Sequence, residues 1–529
     1  MKINKIFALL AIVIATLAAC KKTKVTPTPT PTPPVVVPPV VTATRAELSK
    51  DSIFLYAKQI YLWNDKLPTY EVFNPRKYTS NSTELSNYEQ ELFEITKYSN
   101  PYEYKSGATS SKYSYIFDKA NKNATSTLKT TASVDLEGNG NDLGIRFGFY
   151  GTDASFTTYV TAVYQNSPAE KANLVRGNLI TKINGVTVGS NFSANLNFLN
   201  TALAGTTISL EGLKNDGTSF SVTLLKSLFK SSPIYKTKIL TAGSKKVGYL
   251  AYARFSNAEN SIAELEAAFT SFAAGGVTDL IIDLRYNGGG YVSTAQHLIN
   301  LIAPSTATGT MFTEYYNATM QAGSATILAN QPLLDANDKV QYRNGKMITY
   351  ADVDYSVSGN TEVFAKKGPL TTVKNVVFIV SGSTASASEL VINSLKPHMT
   401  VQLVGLTTYG KPVGFFPVTI ENKYDVYYSL FETKNSLGQG GYYDGLVPDV
   451  ANRGPEVPAG TIMYDFGNPN DNYLKMALGL VAPGVTVTSQ AKTMTAKQRD
   501  LASPSSAIIN TDLSDHEFKG MIDTKHRIK

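Results

Sequence analysis

Two side chains in this sequence have the types and spacing to do covalent chemistry together: Ser386 and, 25 residues later, Lys411. The serine lies in Ser383-Thr384-Ala385-Ser386-Ala387-Ser388-Glu389, between an apolar run at residues 373–380 and a helix-type pattern at residues 386–395. At a helix start, unpaired N–H groups and the positive end of the dipole converge, which suits an oxyanion. Serine is a weak nucleophile and needs a base. A lysine serves when burial keeps its amine neutral, and Tyr409, Pro412, Val413, Phe415 and Phe416 give Lys411 apolar neighbours. Each residue also has a plainer reading. Ser386-x-x-Glu389 is equally a capping box, and Lys411 alone would suit a surface loop.

A third element, Asp283-Leu284-Arg285-Tyr286-Asn287-Gly288-Gly289-Gly290, ends an apolar run at residues 278–284. Its glycines allow positive φ and close backbone approach to a ligand, although a bare strand-to-helix turn needs no more than this. It lacks both GxGxxG and GK[ST], so it is no nucleotide loop. The chain has four histidines: His297, His398, His516 and His526. None sits in a recognisable triad motif. There is no HExxH and no cysteine pair, so no metal site is apparent, and catalysis is expected to need no cofactor.

The elements that must position these residues alternate strand and helix: strands at 247–255, 278–284, 373–380 and 401–404, helices at 258–273, 291–302 and 386–395. That alternation predicts an α/β core, interrupted at 305–370 by a polar and aromatic insertion expected at the cleft rim. Residues 135–228 read as β-rich. They contain Leu143-Gly144-Ile145-Arg146-Phe147, a strand at 157–164, and a pair at 207–213 and 219–225 split by the turn Asn215-Asp216-Gly217. Residues 44–129 read as a small helical domain without chemistry. Its first helix is expected over 45–67 from the spacing of Leu48, Ile53, Leu55, Tyr56, Ile60 and Leu62. A final helix is expected at 472–480, and the polar stretch 486–529 reads as loosely ordered.

With 529 residues, 43% of them hydrophobic and 17% charged, the chain has room for three or four globular domains. The net charge of +7 is spread thinly, with no basic run of the kind that binds nucleic acid. Cys20 is the only cysteine, which excludes an intrachain disulfide. It ends a secretory-signal pattern: a basic stretch at 1–5, an apolar stretch at 6–15, then Leu17-Ala18-Ala19-Cys20. This resembles a bacterial lipobox, which implies a lipid on Cys20 as the membrane attachment. Residues 21–41 are rich in proline and threonine, and would make an extended stalk of roughly 60 Å.

DLRxNxGG, SASE and YGK in this order resemble the C-terminal processing (tail-specific) serine peptidase family, over residues 44–480. Gly445-Leu446-Val447-Pro448-Asp449 resembles that family's closing segment. The resemblance implies a multidomain α/β protein: a signal peptide at 1–20, a linker at 21–43, a helical domain at 44–130, a PDZ-like domain at 135–230, a crotonase-like α/β spiral peptidase core at 233–455 with its insertion at 305–370, and an extension at 456–529. It further implies that Ser386 is the nucleophile and Lys411 the base. Ala387 and either Gly289 or Gly290 would line the oxyanion hole, and Leu143, Gly144 and Ile145 would hold a peptide end at a sheet edge. Peptide or protein substrates follow, with the chain facing the periplasm or the cell surface. Two positions depart from the family: Phe415 stands where a glutamine often orients the lysine, and Pro412 where a glycine is usual. The Phe415 departure sustains an alternative, a lipid-anchored peptide-binding scaffold without catalysis.

Overall fold

The computed structural model describes residues 43–119, 134–335, 339–485, 520–523 and 526–529. The expected signal with Cys20, the whole proline-rich stretch at 21–41 and residues 486–519 lie outside them. No helix among the described residues is long and apolar enough to cross a membrane.

Five strands make the central sheet, in the order Ile234–Ala242, Lys245–Tyr252, Asp279–Asp283, Asn375–Val380, Thr400–Gly405. The first two pair antiparallel and the remaining pairs are parallel. The continuous apolar runs of the sequence follow from burial on both faces. Val376, Phe378 and Val380 enter one core, with Leu298 of helix Val292–Ile302 and Leu395 of helix Ala387–Leu395. Val377 and Ile379 enter the opposite core, against Tyr473, Leu474 and Leu478 of helix Asn472–Val481. The serine and the glycine loop therefore lie just beyond the C-terminal ends of two adjacent parallel strands, where open α/β sheets place their sites.

The structure adds to or changes four expectations. The polar and aromatic insertion at 305–370 contributes a strand to the body: Thr310–Tyr316 pairs with Phe431–Asn435 and Thr361–Val363, in a sheet that also holds Val413–Gly414, two residues after Lys411. The first helix is Arg45–Ile60 and stops short of Leu67, because Leu62 N–H leaves it to bond Ser429 O at 2.8 Å. The helical N-terminal region also shares its core with the α/β body, and its strand Tyr115–Asp118 pairs with Tyr424–Tyr427. In the tail, Gly520–Ile522 is a strand with Met521 fully buried, so this part of residues 486–529 is not loosely ordered.

Residues 145–225 form an antiparallel sheet with strand order Ile145–Gly151, Phe156–Val163, Leu179–Ile183, Thr207–Leu213, Ser219–Leu225, and a core of its own. A buried ionic network ties it to the glycine loop. Arg176 donates to Glu456 at 2.8 Å and to Asp471 at 3.1 Å, while Arg285 donates to Asp471 at 2.8 Å and to Asp283 at 2.7 Å. Tyr150 and Tyr286 also donate to Glu456. Burial pushes Glu456 up, but Arg176 and Arg285 outweigh it and hold its pKa at about 2, below its ordinary 4.5. A depressed folded-state carboxylate stabilises the fold above the unfolded value, and that stability is lost as pH falls towards the folded value. Glu456→Gln is thus expected to cost about 3 kcal/mol at neutral pH and far less at pH 2, read by denaturant unfolding. An equal cost at both pH values would contradict this reading.

Candidate active site

The chain turns sharply between the strand Asn375–Val380 and the helix Ala387–Leu395, and Ser386 caps that helix. Its backbone, φ 59° and ψ −107°, is one that L side chains rarely adopt. Such a conformation costs about 1–3 kcal/mol and persists only where its surroundings enforce it. Part of the enforcement is visible in the hydrogen bonds. Ala385 N–H donates to Asn287 O at 3.1 Å, Ser388 Oγ donates to the same oxygen at 3.0 Å, and Thr384 Oγ1 donates to Leu284 O at 2.7 Å. The serine turn is stitched to the glycine loop at three points.

Ser386 is fully buried and its Oγ has no hydrogen-bond partner among the described residues. Ser386 and Glu389 stand in the capping-box arrangement, and the reverse bond is well made, Ser386 N–H to Glu389 Oε2 at 2.8 Å, while the hydroxyl faces the Glu389 N–H without reaching full hydrogen-bond geometry. An unspent buried hydroxyl is costly in a purely structural role.

Glu389 joins the serine to the lysine. Its Oε2 accepts from Ser386 N–H and from Lys411 N–H, both at 2.8 Å. Its Oε1 accepts from Gly410 N–H at 2.7 Å and from the Thr408 hydroxyl. The main chain of residues 386 and 411 is thus held to one oxygen atom. Four donors fill the lone pairs of an ionised carboxylate. Burial pushes the pKa of Glu389 up, against the pull of the Thr408 hydroxyl and the three backbone N–H groups.

Lys411 is also buried. Its Nζ lies 4.3 Å from the centre of the Phe415 ring and 5.6 Å from that of Tyr113. Phe415, at the family's glutamine position, covers the amine with an aromatic face. The N-terminal region, expected to carry no chemistry, clamps this loop: Lys112 Nζ donates to Tyr443 O at 2.7 Å and to Gly410 O at 3.2 Å, and Tyr113 OH donates to Gly410 O. Burial lowers the pKa of Lys112 to about 8.

Gly289 and Gly290, with φ of 110° and 136°, take conformations closed to other residues. A Cβ on Gly289 would stand 3.1 Å from Ala387 N and 2.3 Å from Gly520 O, so Ala387 N–H, the loop and the tail crowd one point. Gly289 N–H is engaged by Asn287 Oδ1 at 2.9 Å. That bond turns Gly289 N–H back into its own loop, whereas Gly290 N–H faces out of the loop towards the tail strand at Gly520. The described histidines are engaged elsewhere: His398 with Ser436 at 3.0 Å, His297 beside Glu266 and His526 beside Asp523.

Leu143, Gly144 and Ile145 fall in the β-rich region, where Ile145 starts an edge strand. Leu143 and Ile145 are buried, and Leu143 N–H donates to the Asp142 carboxylate. Sequence reasoning missed Glu389 as anything beyond a cap, and missed Asn287, Lys112, Tyr113 and the tail. Only Glu389 and Asn287 had a signal, from their places in SASE and DLRxNxGG.

Residues 246–451 match Peptidase family S41. A Staphylococcus aureus (strain MRSA252) protein described as a CtpA-like serine protease is 23% identical over 345 residues, covering 63% of this chain and 58% of the relative. This chain thus spans under two thirds of that relative's length. A carboxyl-terminal-processing protease of Synechocystis sp. is 24% identical over 348 residues, 64% of this chain and 68% of the relative. A solved S41-class structure from Bacteroides fragilis NCTC 9343 shares the fold with a TM-score of 0.51 at 21% identity, over 81% of this chain and 96% of that one. The strand-end serine, the lysine loop and the glycine loop all lie within residues 246–451, the segment that matches Peptidase family S41.

Proposed function

We propose that this chain is a serine endopeptidase in which Ser386 is the nucleophile and Lys411 the general base. The observation that carries the reading is Glu389, whose single oxygen Oε2 holds the backbone N–H of both residues. In the acylation step Ser386 Oγ attacks the scissile carbonyl carbon and its proton passes to the neutral amine of Lys411. The oxyanion is stabilised by Ala387 N–H at the helix mouth and by Gly290 N–H. The C–N bond then breaks, and the departing amine takes the proton from Lys411. A water, deprotonated by the same lysine, hydrolyses the ester and frees Ser386. This sequence of steps draws on no cofactor.

The β-rich domain is PDZ-like and adds a peptide to its edge strand near Leu143, Gly144 and Ile145. Substrates are polypeptides cut near their C-termini or in unfolded tails, in keeping with the described activity of the Synechocystis relative. A lipid on Cys20 anchors the chain in a bacterial cell envelope. One observation favours the scaffold alternative: the Phe415 ring, 4.3 Å from Lys411 Nζ, stabilises an ammonium over an amine.

Two sets of variants test the mechanism, assayed on fluorescein-labelled unfolded casein. Ser386→Ala and Lys411→Ala are each expected to lower kcat by about 10³-fold or more, with the fold intact. Cleavage within tenfold of wild type in either would refute the assigned roles. Glu389→Gln keeps the shape but loses an acceptor oxygen, so a positioning role predicts a kcat lower by about 10–100-fold at nearly constant KM. A change confined to KM, or to thermal stability, would leave Glu389 merely structural.

A further inference from the structure

Residues 520–523 run as the middle strand of a three-stranded arrangement inside the site. On one side Gly520, Met521 and Ile522 pair in parallel with Gly289, Gly290 and Tyr291, and Gly520 N–H donates to Gly288 O at 3.0 Å. On the other side Ile522 bridges Phe415 in parallel; Phe415 N–H donates to Met521 O at 3.1 Å, and Asp523 N–H to Phe415 O at 3.3 Å. The tail thus fills a slot one strand wide between the glycine loop and the segment just after Lys411.

The slot meets the reaction centre at one atom. In a parallel ladder a residue that donates to the position before its partner receives its return bond from the position after it. With Gly520 opposite Gly289, that donor is Gly290 N–H. The Gly520 carbonyl oxygen also shares the space of a missing Gly289 side chain with Ala387 N. The tail carbonyl therefore lies against the donors that an oxyanion would need, and both cannot hold them at once. The next side chain, Met521, is fully buried, and Gly520 supplies no side chain at all. The slot thus selects by shape and by backbone pairing.

We infer that this slot is the binding site for the substrate strand and that the chain's own tail occupies it as a built-in competitor. The occupant it accepts is an extended polypeptide running parallel to Gly289–Tyr291. It carries a small residue whose carbonyl faces Gly290 N–H, then a large apolar residue, then an aliphatic one, as in Gly520-Met521-Ile522. The inhibitory consequence rests on the peptidase reading above; the strand-binding site itself does not.

The test uses the full-length chain with Met521→Asp, which puts a carboxylate where Met521 is buried, and a fluorescein-labelled synthetic peptide of residues 519–529. The inference predicts that the peptide binds Met521→Asp, by fluorescence anisotropy, at least tenfold more tightly than wild type. It also predicts that casein cleavage by Met521→Asp rises at least tenfold and that excess peptide suppresses the gain. Peptide binding with no cleavage by any variant supports the slot and removes the peptidase reading. A Met521→Asp chain that melts like wild type, binds no peptide and cleaves no faster overturns the inference, whatever the wild-type activity. If Met521→Asp does not fold, hydrogen exchange on full-length Ser386→Ala decides: saturating unlabelled peptide should speed exchange at residues 520–523 at least tenfold, and unchanged protection overturns the inference.

Discussion

Four hydrogen-bond donors converge on the buried carboxylate of Glu389: Ser386 N–H, Gly410 N–H, Lys411 N–H and the Thr408 hydroxyl. A carboxylate buried without such partners would be prohibitively unfavourable. The folded chain must therefore bring the serine turn and the lysine loop together around it. Because two of those N–H groups belong to the residues proposed to react, the demand for satisfied hydrogen bonding also sets how close their backbones lie. The strained φ of Ser386 fits the same account, since a rare backbone conformation survives where bonds on both sides over-determine it. The Ser386 hydroxyl is the polar group left over, buried and unspent in the cap.

Around that anchor the molecule is arranged in shells. The parallel strands Asp279–Asp283 and Asn375–Val380 deliver the glycine loop and the serine turn to one end of the sheet, and Asn287 ties the two together. Lys112 and Tyr113, from the N-terminal region, hold the Gly410 carbonyl from outside. Arg285, two residues past the strand, shares Asp471 and Glu456 with Arg176 of the β-rich region. A displacement of that region would pull on the glycine loop through buried charge pairs, which are strongly unfavourable to break by halves.

Much of this was legible in the sequence where the cause is local. The runs at 278–284 and 373–380 read as buried strands because both faces are covered, and SASE with YGK 25 residues on marked the two segments that Glu389 holds together. Glu389 was legible only as a cap, because a capping glutamate and an anchoring one share the same spacing. The donors that distinguish them come from residues 408–411, and nothing in the local pattern announces them. The strand Thr310–Tyr316 was hidden because its partner Phe431–Asn435 lies more than a hundred residues away, and because polar and aromatic residues blur its alternation. The tail strand gave no signal: three residues held chiefly by backbone bonds leave no side-chain period to read.

Lys411 is proposed to make Ser386 nucleophilic. Reaction of the intact chain with a biotinylated fluorophosphonate, followed by intact mass and peptide mapping, reads that nucleophilicity out. One adduct per chain is expected, on Ser386, formed faster when the tail is displaced by Met521→Asp and lost in folded Lys411→Ala. Absence of any adduct on Ser386 in both wild type and Met521→Asp, or equal labelling with Lys411→Ala, would contradict it.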